Sequence, residues 1–451
     1  MSGLFFPQGF LWGTATSSYQ IEGAVREGER GESIWDRFCR VPGKVAHGDT
    51  GEVACDHYHR YRDDVENLKQ LGVGGYRFST AWPRIFPAGR GRPNRKGIDF
   101  YLSLTDELLR RGIRPALTLY HWDLPQALED GGGWGNRDTA DWFAEYAVTM
   151  YRALGDRVKT WITLNEPWVS AFLGHYTGEH APGKTDFALA VQASHVLLLA
   201  HAKAVEAFRQ EGCDGAIGIT LNLSPVYPLA DGEGDGEAAR IADGYRNRWF
   251  LDPVFLGSYP ADMLSRYEAH GSSPRIGERD MALMRDHPPD FLGVNYYSPC
   301  RVRHARTASV LPFEEGMLPE APVTDMGWEI LPEGLYDLLI RIKADYGDPR
   351  ILITENGCAC RDEARVGVME EDRERIEYLA SHLAAAHRAI QAGVKLEGYY
   401  LWSLMDNFEW AFGYTRRFGI TGVDFATQAR TWKRSAAWYQ AVIASNALGE
   451  G

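Results

Sequence analysis

The sequence predicts an α/β fold, a (β/α)8 barrel with long insertions in its βα loops, and three observations carry that prediction. Short apolar, β-prone runs alternate with longer amphipathic stretches from end to end. The runs number eight, with helix-like segments between them, which is the element count of a closed parallel barrel. No Pro/Gly/Ser-rich linker, short repeat or low-complexity block interrupts the chain, so residues 1–451 read as a single domain.

Phe10 to Ala15 is the first strand. The segment FLWGTATSSYQ stands there in place of a glycine-rich phosphate fingerprint, which weighs against the doubly wound open sheet that a similar pattern also fits. Tyr61 to Leu71 has apolar residues at helical spacing and leads to the second strand, Gly75 to Phe78. Helix Asp99 to Arg111 leads to strand Arg114 to Leu119, and helix Asp138 to Leu154 to strand Thr160 to Leu164. The longest apolar helix, Asp186 to Gln210, precedes strand Ala216 to Leu221. The acidic, Gly-rich stretch Ala230 to Ala239 reads as a surface loop. Strand Phe291 to Val294, strand Ile351 to Thr354, helix Arg373 to Ala392 and strand Leu396 to Leu401 complete the set. The fourth, seventh and eighth strands are near-continuous apolar runs, as strands covered on both sides are.

Composition narrows the function. With 45% hydrophobic and 24% charged residues the chain has material for a sizeable core. A formal charge of -13 predicts no nucleic-acid partner and no anionic membrane surface, because the summed field repels phosphates. Fourteen Trp and 22 Tyr supply aromatic faces of the kind that sugar C–H surfaces use. Cys39, Cys55, Cys213, Cys300, Cys358 and Cys360 read as reduced thiols in so large a chain. The N-terminal stretch lacks a basic segment and is broken by Pro7, Gln8 and Gly9, so neither a signal peptide nor a membrane anchor is expected, and the protein is expected to be cytoplasmic. Asp56, His57 and His59 mimic metal-ligand spacing and Cys358 with Cys360 forms a CxC pair, but the remaining ligands are missing, so no metal and no cofactor are expected.

Almost every strand ends in a residue that packing would not choose. Gln20 lies shortly after the first; Arg77 and Ser79 close the second; His121 and Trp122 the third; Asn165 and Glu166 the fourth. Asn222 follows the fifth, Asn295 and Tyr297 the sixth, Glu355 and Asn356 the seventh, and Trp402, Glu409 and Trp410 the eighth. In a parallel barrel these ends converge on the C-terminal face, where barrel enzymes build their sites. Two of the segments, TLNEP at Thr163 to Pro167 and ITENG at Ile353 to Gly357, carry a carboxylate directly after an apolar strand. Glycoside hydrolysis has a use for such a pair: one carboxyl group that keeps a proton for the leaving oxygen, and one that stays ionised to attack the sugar.

With GTATSSYQIEGA, SIWDRF, YRFSTAWPRIFP, TLYHWDLPQAL, GVNYYS and WSLMDNFEWAFGYTRRFGI in the same order, the chain from Phe10 to Tyr439 resembles glycoside hydrolase family 1, the β-glucosidase family. The resemblance implies a retaining β-glucosidase acting on small β-glucosides or cello-oligosaccharides, as in cellulose degradation. Glu166 would be the acid/base and Glu355 the nucleophile, supported by Arg77, Asn295 and Tyr297. Gln20, His121, Trp122, Asn165, Trp402, Glu409, Trp410 and Phe418 would hold the sugar, and Trp168, Asn222 and Trp328 would line the leaving-group side. A β-galactosidase or β-fucosidase on the same machinery, and more remotely a non-catalytic sugar-binding barrel, are the alternatives. The sequence also leaves room for a homo-oligomer.

Local readings accompany these. Asn165, Glu166 and Pro167 fit a helix N-terminus, Asn356 and Gly357 a turn. Trp82, Trp161 and Trp438 are expected in the core. The stretch Cys358 to Glu371 is shorter than the family pattern, and GVDF at Gly422 to Phe425 with Trp432 departs from it.

Overall fold

The computed structural model describes residues 3–306, 309–362 and 371–449. Eight parallel strands close into a barrel in chain order: β1 (Leu11–Ala15), β2 (Gly75–Ser79), β3 (Arg114–Tyr120), β4 (Thr160–Asn165), β5 (Ala216–Asn222), β6 (Phe291–Asn295), β7 (Ile351–Asn356) and β8 (Leu396–Trp402). β8 pairs with β1 from Gly398 opposite Leu11 to Trp402 opposite Ala15, which closes the ring. Seven strands run one or two residues past their apolar runs. Ser79, Tyr120, Asn165, Asn222, Asn295, Asn356 and Trp402 all remain in the backbone ladder. The polar residues at the barrel mouth are therefore held by main-chain pairing rather than carried on free loops.

Side chains alternate across the barrel wall, as a two-residue repeat requires. Ala15, Ala116, Ile162, Phe291, Leu352 and Tyr400, from six different strands, pack together in one cluster. Their neighbours Leu117, Leu119, Trp161, Leu292, Ile351, Ile353, Tyr399 and Leu401 belong instead to the large cluster shared with the helices. Those helices are α1 (His57–Leu71), α2 (Arg95–Arg110), α3 (Asp138–Leu154), α4 (Phe187–Gln210), α5 (Asp280–Asp286), α6 (Pro332–Asp345), α7 (Arg373–Gln391) and α8 (Arg434–Ser445).

Caps explain where several begin. α2 starts at Arg95, a turn before its apolar pattern, because the Asn94 side chain accepts a hydrogen bond from the Lys96 amide at 3.1 Å. Asp186 caps α4 in the same way through the Leu189 amide at 3.0 Å. α4 is long and apolar enough to cross a membrane by length and composition, but 83% of its apolar window is buried inside the protein, as in a core helix.

Two readings of the sequence are corrected. Ala230 to Ala239 is not all loop: Asp235–Asp243 is helical, and Ala238 and Ala242 bury against Cys300 and Val302. Its acidic first turn, Asp235 and Glu237, suits a helix N-terminus, and that acidity resembled a solvated loop. Trp438 is only half-buried, whereas Trp82 and Trp161 are core residues. The metal-like spacing dissolves into separate pairs, His57 Nδ1 with Asp64 at 2.8 Å and His59 Nδ1 with Asp56 at 2.6 Å. Among the described residues no group of three could hold a metal ion. Of the stretch Cys358 to Glu371, residues 363–370 lie outside the described residues.

Long loops build up the C-terminal face. A small sheet of Val226–Pro228, Cys300–His304 and Phe313–Gly316 brings the segments that follow β5 and β6 together over the barrel mouth.

Candidate active site

Glu355 is a ladder residue of β7, paired with Asn295 of β6, so its position is set by two strands. Glu166 follows β4 directly, and its amide still donates to the Thr220 carbonyl at 2.9 Å before the chain turns at φ +50°. Trp122 (φ +78°) and Trp410 (φ +50°) also occupy the left-handed region. Bulky residues rarely hold such backbone, and its clustering at one mouth marks a place where geometry outweighs local preference.

Arg77 organises the floor. Its guanidinium is fully buried and donates from Nη1 to Glu355 Oε1 at 2.5 Å and from Nη2 to Asn165 Oδ1 at 2.6 Å. Nε donates to Thr118 Oγ1 at 3.2 Å. Because arginine only donates, the Asn165 oxygen must face it, and the Asn165 amide nitrogen then donates to His121 Nε2 at 3.1 Å. That bond places the imidazole proton on Nδ1, a buried atom without a protein partner on a ring that lines the cavity. Burial and the Arg77 charge both hold the His121 pKa well below the ordinary imidazole range, so the ring is neutral and offers one N–H to a ligand.

The two glutamates sit in unequal surroundings. Glu355 receives the Tyr297 hydroxyl on Oε2 at 2.7 Å besides Arg77 on Oε1, two donors that favour its ionised form. Burial pushes its pKa up, and Arg77, Tyr297 and Asn295 all oppose that push. Glu166 receives only the neutral amide of Asn295, Nδ2 to Oε1 at 2.6 Å. Burial and the neighbouring Glu355 charge push Glu166 up to about 8. Of the pair, the proton therefore rests on Glu166. The Asn295 amide nitrogen also donates to Asn165 Oδ1 at 3.1 Å, and Thr354 Oγ1 fixes the amide's orientation by donating to Oδ1 at 2.7 Å.

The carboxyl groups open into a cavity of about 560 Å³, within the usual range for small-molecule sites. His121, Trp122, Glu166, Asn295, Tyr297, Glu355, Trp402, Glu409, Trp410 and Phe418 line its depth. His121 lies nearly parallel to Trp402 and to Trp410, with ring centroids 5.8 and 6.0 Å away. Glu409 is buried beside them with no ion-pair partner among the described residues; burial and the Glu355 charge push it up to about 8, against one weak bond from Gln20 Nε2 at 3.4 Å. Gln20, Arg77 and Asn165 are fully buried and stand one layer behind the lining residues.

Towards the entrance the cavity is lined by Trp168, Asn222 and Trp328, together with residues that the sequence did not single out. Arg246 lies over the Trp168 ring at 4.8 Å and donates to Glu315 at 2.6 Å; Arg301 grips Glu329 with two bonds of 2.7 and 2.8 Å. These four come from the insertions after β5 and β6, where no barrel strand end flags them. All sixteen sequence-derived site residues thus gather at one end of the barrel.

Comparison with known proteins agrees with this geometry. The model for Glycosyl hydrolase family 1 matches residues 3–448. The chain is 51% identical to "Beta-glucosidase A" of Acetivibrio thermocellus, covering 99% of this chain and 100% of that protein. Among solved structures it is similar to "Family 1 b-glucosidase from Thermotoga maritima", with a TM-score of 0.96, 48% identity and 100% coverage of both chains. It is also similar to the Thermotoga maritima β-glucosidase in complex with glucoimidazole, with a TM-score of 0.94, 48% identity, and coverage of 99% of this chain and 100% of that one.

Proposed function

The chain belongs to glycosyl hydrolase family 1 and is a retaining β-glucosidase, and on that premise we propose how its residues divide the work. Glu355 is the nucleophile and Glu166 the acid/base. The observation that carries the assignment is the asymmetry of their partners: a guanidinium and a phenol on Glu355, a single neutral amide on Glu166.

In the first step a Glu355 oxygen attacks the anomeric carbon while Glu166 gives its proton to the departing oxygen. Bond formation neutralises Glu355. The charge that held the Glu166 proton is then gone, so Glu166 loses proton affinity just as it must accept one from the attacking water. The water's oxygen takes the anomeric carbon, the bond to Glu355 breaks, and both groups return to their starting states. Retention asks for carboxyl groups about 5–5.5 Å apart against roughly 6.5–9.5 Å for inversion. Both carboxyl groups line one cavity, and the Glu355 charge raises the Glu166 pKa, which supports the shorter spacing.

The deep end of the cavity accepts the glucosyl unit. The free His121 Nδ1–H, the Glu409 carboxyl group and the Trp402 ring supply a donor, a hydrogen-bonding partner for two hydroxyls and an apolar platform. The entrance, with Trp168, Trp328, Asn222 and two ion pairs, suits a polar leaving group such as a second glucose, so β-glucosides and cello-oligosaccharides are the substrates.

Glu355→Gly tests the assignment. Hydrolysis should be abolished, and added azide should restore turnover of a nitrophenyl β-glucoside with an α-glucosyl azide as product. An azide of β configuration would place the nucleophile elsewhere.

A further inference from the structure

Just beyond the nucleophile stand two thiols that the reaction does not use. Cys358 Sγ and Cys360 Sγ are 3.6 Å apart, in van der Waals contact, and both residues are buried, Cys360 being 7% exposed. All six cysteines are free thiols, and only these two contact one another among the described residues. We propose that Cys358 and Cys360 are a redox-modification site: a hydroperoxide oxidises them to a disulfide, and that closure slows the glycosidase.

The chemistry divides unequally between the sulfurs. Cys360 is the more exposed of the two, 7% against 2% for Cys358, so an oxidant reaches Cys360 first, and the contact with Cys358 and the Arg375 charge favour its thiolate. Cys360 attacks the terminal oxygen of the hydroperoxide; the O–O bond breaks, an alcohol (water, for hydrogen peroxide) leaves, and Cys360 becomes a sulfenic acid. Cys358 gives up its proton and attacks the Cys360 sulfur, and the hydroxyl leaves as water. Two thiols are oxidised and one hydroperoxide is reduced, with no further reactant.

The segment is tied to the site on every side. An added Cβ on Gly357 would lie 1.8 Å from the Trp402 carbonyl, so the backbone before Cys358 rests on the backbone of the residue whose ring lines the cavity. Ala359, between the cysteines, packs in the cluster that contains Trp402 and Phe418, with Tyr297, Met326 and Trp328 against it. The Ala359 carbonyl accepts from the Asp325 amide at 3.0 Å, and the Cys360 amide donates to the Arg417 carbonyl at 3.2 Å. Those bonds tie the segment to the loops carrying Trp328 and Phe418. Drawing the sulfurs from 3.6 Å to about 2.05 Å displaces this segment on the ångström scale. Tyr297, the donor to Glu355, and Trp402 move with it, and misplacement of that size lowers kcat/KM by roughly tenfold to a hundredfold.

The experiment follows thiol state and activity together in the full-length protein. Enzyme is exposed to hydrogen peroxide, quenched with iodoacetamide, and divided between peptide mass mapping and assay on a nitrophenyl β-glucoside. The expected result is loss of two hydrogens in the peptide joining Cys358 to Cys360, a parallel fall in kcat/KM, and recovery of both with dithiothreitol. Cys358→Ser and Cys360→Ser should keep basal activity and lose the reversible inhibition, while Cys213→Ser should behave as wild type. Inhibition with both thiols still alkylatable, or a formed disulfide with unchanged kcat/KM, overturns the proposal. The wild-type correlation decides the matter even if a serine variant folds poorly. Failure here leaves the roles of Glu166 and Glu355 untouched, since azide rescue reads those separately.

Discussion

Tyr297→Phe removes one hydroxyl and little else. The ring's contacts with Trp328 and Phe418, at 5.3 and 6.0 Å between centroids, persist in phenylalanine. What disappears is the 2.7 Å hydrogen bond to Glu355 Oε2, while the Arg77 bond to Oε1 stays. A hydrogen bond to a buried charged group contributes about 1.5–3 kcal/mol. At about 1.4 kcal/mol per pH unit, the Glu355 pKa rises by about one to two units. The sign follows from which form loses the donor: the ionised carboxylate is the form destabilised. Free enzyme needs Glu355 ionised, so the acid limb of the kcat/KM profile on a nitrophenyl β-glucoside moves to higher pH by that amount. The alkaline limb, set by Glu166 near pH 8, stays in place. The profile therefore narrows from one side. A uniform fall in kcat/KM with an unmoved acid limb would refute the reasoning, because it would mean that the phenol only packs and does not tune the nucleophile.

Glu166→Ala should depress kcat/KM on alkyl glucosides and cellobiose by orders of magnitude more than on dinitrophenyl glucosides, whose leaving groups need no proton; equal losses would remove the acid role. Glu409→Gln should lower kcat/KM on glucosides by about tenfold, because an amide offers the sugar hydroxyls one acceptor oxygen where the carboxyl group offers two. The same variant should gain stability at alkaline pH. The Glu409 carboxyl is held up to about 8 in the folded protein against about 4.3 unfolded, so its contribution is full below about pH 4 and is lost as pH rises towards 8. Thermal midpoints of the variant and wild type should diverge in favour of the variant across that window, and a constant difference would contradict the sign. Arg84→Met should destabilise the fold by about 3–5 kcal/mol in urea titration. It strands the buried Glu22 carboxylate, which Arg84 Nε meets at 3.1 Å and the Tyr101 hydroxyl at 2.6 Å. A change near zero would mean that Tyr101 alone satisfies it.

The barrel could be read from the chain because its signal is local. Apolar runs at Arg114 to Leu119 or Ile351 to Thr354 state their own conformation, and amphipathic stretches such as Asp138 to Leu154 state theirs. Strand ends were drawn short for the same reason. Asn165 and Asn295 break an apolar run, yet their backbones continue the ladder, and hydropathy does not see the ladder. The helix Asp235–Asp243 was missed because its apolar face, Ala238 and Ala242, has meaning only against Cys300 and Val302 some sixty residues later. Trp438 was misplaced because aromatic character carries no statement of which helix face is covered.

Sequence alone determined the element order and the placing of Glu166 and Glu355 directly after apolar strands, since each follows from residue type and spacing along the chain. Tertiary structure alone decided the unequal partners of the two carboxyl groups, where the His121 proton lies, and which distant segments furnish Arg246, Glu315, Arg301 and Glu329. Those outcomes depend on burial and on charge–charge distance between residues far apart in the chain, such as the Arg77 guanidinium and the Glu355 carboxylate, and no property of either segment fixes the gap between them.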